Sequence, residues 1–138
     1  MINVSAKYKP FLLIAAQTAT ATVNGSAVQL TGDEQDGVAI VCLGAVMGGP
    51  SAQTCTVTIS ASATQNGTYT TIATFPTSTA GTAQVGTARV LVNQGLYSWV
   101  KATATIAFTG GTTPSFPLSV VLLQNQTIET DSNIASLS

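Results

Sequence analysis

The chain has 138 residues, of which 45% are hydrophobic and only 7% are Asp, Glu, Lys or Arg, with a net charge of -1 and no histidine. The length suits one domain with one core, and the hydrophobic fraction argues against intrinsic disorder. So few basic groups cannot build a nucleic-acid footprint or a patch for an anionic membrane, and without His the commonest general base and the commonest metal ligand are missing.

At the start of the chain, Lys7 and Lys9 precede the apolar run Phe11-Leu12-Leu13-Ile14-Ala15-Ala16, and Ala19-Thr20-Ala21 imitates a small-x-small cleavage site. The run breaks at Gln17, short of the usual ~7 to 15 residues of a signal-peptide h-region, so we do not read it as a signal. Nothing approaches the ~20 apolar residues of a membrane-spanning helix, and a soluble protein is expected.

No window carries a helical 3,4 period; Thr, Val and Ile dominate, with Gly, Pro and Asn at short intervals. Strands are predicted at 26–30, 38–43, 54–60, 68–75, 89–92, 96–108 and 115–123. Val38 to Leu43 is apolar at every position and reads as a central strand buried on both faces. In 54–60, Cys55, Val57 and Ile59 alternate with Thr54, Thr56, Thr58 and Ser60, giving one core face and one wet or partner-facing face. In the long strand 96–108, Val100, Ala102, Ala104, Ile106 and Phe108 share one face, with Trp99, Lys101, Thr103 and Thr105 on the other. Residues 77–86 are small and polar and read as an exposed loop. Asn24-Gly25 and Asn66-Gly67 read as turns.

The fold predicted from this pattern is all-β: an antiparallel β-sandwich of about seven to eight strands over 24–123, with an N-terminal arm over 1–23 and a C-terminal tail over 124–138. The arm holds Tyr8, Phe11, Leu12 and Ile14, and the tail Ile128, Ile134 and Leu137, apolar residues that no pattern within the domain accounts for. Together with Trp99, whose residue type is enriched at interfaces, they are the candidate subunit contacts.

Candidate chemistry is sparse. Asp33, Glu34 and Asp36 lack the spacing of a calcium loop and read as an ordinary acidic turn, and Glu129 and Asp131 read as solvated charge. Cys42 and Cys55, expected on neighbouring strands, are close enough in sequence for a disulfide, but two reduced core thiols are the favoured reading; no His or third Cys is present to complete a zinc site. No catalytic, cofactor or metal site is expected, and the chain is not expected to be an enzyme.

Three stretches carry a resemblance: Val28-Gln29-Leu30-Thr31-Gly32; Thr56-Val57-Thr58-Ile59-Ser60 with Asn66-Gly67-Thr68-Tyr69-Thr70; and Trp99-Val100-Lys101-Ala102-Thr103 running on to Pro114-Ser115-Phe116-Pro117-Leu118-Ser119-Val120. Over about 28–123 the chain resembles small phage virion proteins described as capsid decoration, or cement, proteins. It departs from them at charged positions, with Gln29 at an acidic site, Asn66 for Asp and Lys101 for Arg. The resemblance implies a non-enzymatic sandwich on the outer surface of a phage head, made in the host cytoplasm. Its implied partners are the phage major capsid protein and its own copies, often as a homotrimer. The competing expectations are a tail or head-tail joining protein of a phage, and a secreted or surface carbohydrate-binding sandwich using Trp99 and Tyr97.

Overall fold

The computed structural model describes residues 8–30, 36–92 and 97–125. Over these residues the chain forms nine strands: β1 (Tyr8–Ala19), β2 (Val23–Asn24), β3 (Val28–Gln29), β4 (Asp36–Leu43), β5 (Ala52–Ser62), β6 (Thr70–Thr74), β7 (Gln84–Leu91), β8 (Trp99–Thr109) and β9 (Phe116–Asn125). They build two antiparallel sheets, one in the order β1-β9-β4-β7 and the other in the order β2-β8-β5-β6, with β3 also pairing β8. The all-β sandwich is therefore the fold.

Period-2 patterning explains most of the core. Cys55, Val57, Ile59 and Ala61 of β5 turn inward beside Val100, Ala102, Ala104 and Ile106 of β8, and all are buried. They meet Ala39, Val41 and Leu43 of β4 and Leu118, Val120 and Leu122 of β9, which join the same hydrophobic cluster. Phe108 and Phe116 stack across the end of the core, with ring centroids 5.5 Å apart.

The proposed arm is corrected by the structure. Tyr8–Ala19 is an edge strand paired along β9, and Phe11, Leu13 and Ile14 are buried in the chain's own core. Its inward pattern breaks strict alternation because the register shifts between Leu12 and Ile14, so two consecutive side chains, Leu13 and Ile14, both face inward. The strand boundary at 123 also moves: β9 runs on to Asn125, with Gln124 fully buried. The remaining tail lies outside the described residues.

Other boundaries shift as well. The predicted strand 26–30 shrinks to Val28–Gln29, and β7 starts at Gln84, inside the stretch expected to be loop. Gly25 is less a turn than a close approach: its N–H donates to the Ala102 carbonyl at 2.8 Å, and a Cβ there would meet the carbonyl oxygens of Leu13 and Ala102. At one end of the sandwich Gly48 and Gly49 (φ +85° and +60°) interlock with Gly110 and Gly111 (φ +69° and +86°). The Thr112 N–H donates to the Gly48 carbonyl at 2.8 Å across that clasp.

Candidate interaction face

A sandwich has two outer faces, and here they differ in chemistry. On the β2-β8-β5-β6 sheet, the outward residues of β5 and β8 pair as Thr56 with Thr105, Thr58 with Thr103 and Ser60 with Lys101. Hydroxyls keep this face wet. The Lys101 ammonium lies 4.2 Å from the centroid of the Tyr69 ring, a cation-π contact, and the Tyr69 hydroxyl donates to the Gln65 carbonyl at 2.7 Å.

On the β1-β9-β4-β7 sheet the outward residues are mostly apolar, with Arg89, Thr87 and Ser119 as polar members of the aligned rows. One row across the strands runs Pro10, Leu123, Val38, Arg89, and the next runs Leu12, Val121, Ile40, Thr87. A third brings Ser119, Cys42 and Val85 into line. Leu12, Val38, Val85 and Leu91 are 57%, 38%, 70% and 60% exposed, and Ile40, Val121 and Leu123 between them are half-buried. Folded monomers seldom present contiguous apolar surface beyond a few hundred Å² except at contact sites.

This face corrects the reading of Val38 to Leu43 as buried on both sides. β4 is central in pairing, lying between β9 and β7, yet only Ala39, Val41 and Leu43 point to the core. Val38, Ile40 and Cys42 point outward. A strand apolar on both sides signals either a second protein layer within the chain or a surface made for a partner, and no second layer of the described chain covers this sheet.

The expected contact residues separate. Leu12 is on the apolar face, whereas Phe11 and Ile14 fill the core and are not available to another subunit. Tyr8 opens β1 opposite Asn125. Trp99 is half-buried on the outer side of the other sheet, between Gln29 and Ser62. Tyr97 packs against the core rather than beside Trp99 as a second outward ring. Ile128, Ile134 and Leu137 lie outside the described residues, as do Asp33, Glu34, Glu129 and Asp131. The outward residues of β4, β7 and β9 are not among the expected contacts; the unbroken apolar run at 38–43 is a sequence signal for β4 alone.

Both cysteines are free thiols. They sit in different sheets rather than on neighbouring strands, Cys42 facing outward from β4 and Cys55 inward from β5. Burial pushes the Cys55 thiol above its ordinary pKa, which keeps it protonated and a poor nucleophile. Beside Cys55 the sheets part into a cleft of about 590 Å³ walled by Val41, Leu43, Val57 and Phe75, with Thr77, Ser78 and Gln84 among its polar lining. Among the described residues, no His, Asp, Glu, Lys or Arg lines it. Among the described residues, no group of three or more His, Cys, Asp or Glu is placed to hold a metal ion.

No protein-family model and no curated protein matches the chain. Among solved structures it is similar to a chain of infectious bursal disease virus, Gx strain, at TM-score 0.58 and 12% identity, covering 86% of this chain and 32% of that one. A chain of the T13 particle of the same virus gives TM-score 0.51 and 10% identity over 86% and 31%. The CBM22-1-GH10 modules of a Clostridium thermocellum xylanase give TM-score 0.44 and 14% identity over 88% and 26%. This chain thus spans about a third of the viral chains' length, and the likeness to them is one of fold.

Proposed function

We propose that this chain is a non-enzymatic structural protein of a virus particle, and in its finer form a decoration protein on the head of a phage. The observation that carries the reading is the contrast between the two outer faces: one sheet presents mainly Thr and Ser, the other mainly Leu, Val and Ile. An exposed apolar sheet marks a contact site, and a shell component gains binding energy by removing such a sheet from water. The viral chains that share the fold support the coarse reading, and the resemblance at 28–123 supports the phage head over a tail or head-tail joint.

In this reading the chain sits on the assembled shell and contacts the major capsid protein. Many copies, each with a modest interface, would stiffen the particle cumulatively. The test is to purify particles of the phage that carries this gene, with and without the chain. Regular density of this sandwich on the head, and loss of the genome at lower temperature in its absence, are the expected results. Density on the tail would replace the head assignment with the tail one. Complete absence of the chain from purified particles would end the virion reading.

A further inference from the structure

We infer that the apolar outer face of the β1-β9-β4-β7 sheet is closed by a second copy of this chain, packed face to face about a two-fold axis lying between the sheets. The inference rests on the structural-protein reading and names the partner of its interaction face. Three properties of the face select a second copy.

The first is area. Four strands at about 4.8 Å spacing and about seven residues at 3.4 Å each give a footprint of about 450 to 500 Å². Two such footprints, with the relief of their side chains, reach the ~1,000 Å² that a specific interface needs. The second is charge. In the rows through Val38, Ile40 and Cys42 the one charged residue is Arg89, on the edge strand β7, and the register places Asp36 opposite Leu91 only at the start of β4. A charged partner would find little to pair with at the centre, while an identical face buries only Leu, Ile and Val there. The third is shape. A sheet face of this kind packs on another at about 10 Å and about -30°, with outward residues interdigitating. Because the same patch serves both partners, the contact is isologous and closes as a dimer; the expected homotrimer would require two different patches on each copy.

The experiment is sedimentation velocity on the full chain from about 1 to 200 µM, with the outward-facing Cys42 as a probe of the interface. The expected species is a dimer of twice 13.9 kDa at the upper concentrations. Labelling of Cys42 by a bulky maleimide should slow severalfold as the dimer fills. Leu12→Lys and Leu91→Lys, at exposed positions on opposite edge strands, should each weaken association at least tenfold while leaving the melting curve of the monomer in place. Thr105→Lys, on the hydroxyl face, should leave the dimer intact. A chain that stays monomeric throughout, that forms trimers, or whose dimer survives both Lys substitutions overturns the inference. A monomer that still joins particles, and stops doing so as Leu12→Lys, removes the two-fold alone and leaves the structural-protein reading standing.

Discussion

Leu12 and Leu13 are adjacent in β1 and identical in chemistry, yet Leu12 is 57% exposed and Leu13 is 2% exposed. The strand pleat sends one to the apolar outer face and the other into the core. Substitution at the two kinds of site should therefore divide cleanly. Ile14→Ala or Phe11→Ala is expected to cost about 2 to 5 kcal/mol in denaturant unfolding, as for other large-to-small core changes. Leu12→Ala should stay within about 0.5 kcal/mol for the monomer. Equal costs at all three positions would mean that β1 does not pack as a core strand.

The glycine clasp gives a second contrast. A Cβ on Gly111 would stand 2.7 Å from the Gly48 carbonyl oxygen, and one on Gly48 would stand 2.5 Å from the Thr112 carbonyl oxygen. Gly49 has open space around it but shares the positive φ. Gly49→Ala should thus lose only the backbone term, about 1 kcal/mol. Gly48→Ala and Gly111→Ala should lose clearly more, because backbone must move on both loops; thermal denaturation of the three variants ranks them.

Gln124 is fully buried, and its side-chain amide has no hydrogen-bond partner on either atom. Burying an unsatisfied amide costs roughly 1 to 3 kcal/mol. Gln124→Met, close in volume and unbranched, is expected to raise stability by about that amount in urea unfolding. A loss of stability instead would show that the amide contributes a polar contact worth more than its desolvation.

Thiol chemistry separates the cysteines. In dilute native protein, where the chain is a monomer, one thiol, Cys42, should react rapidly with a disulfide reagent, and the second, Cys55, only after denaturant is added. The raised pKa of Cys55 also carries a sign. Its protonated form is favoured in the fold, so its contribution is fully present below the ordinary value of 9.0 and is lost as pH rises through the higher folded value. Stability should fall in that alkaline window, and Cys55→Ala should flatten the fall relative to its own neutral-pH stability.

Sequence patterning reveals the fold class and the core of β5 and β8 because those strands keep strict alternation: Val57 and Ile59 in, Thr56 and Thr58 out. It fails where a local irregularity or an unshielded face breaks the code. At β1 the register shift turns Leu13 and Ile14 inward together, so the segment looks like surplus apolar residues rather than a strand. At β4 and β9 both faces are apolar, and periodicity cannot tell a side chain under a second layer from one awaiting a partner. The apolar outer face therefore emerges only when pairing aligns Leu12, Val121 and Ile40 across strands far apart in sequence.

β9 lies between β1 and β4, and its register sets Tyr8 opposite Asn125. The last strand of the described chain to leave the ribosome is thus an inner strand of its sheet. Until it emerges, β1 has no neighbour in that sheet and β4 has only β7. Closing so wide a loop is entropically costly and slow, and the partly made chain holds unpaired apolar strands in the meantime. Completion of this fold is an event after synthesis of residues 116–125, and losing that stretch would dismantle the sheet rather than shorten it.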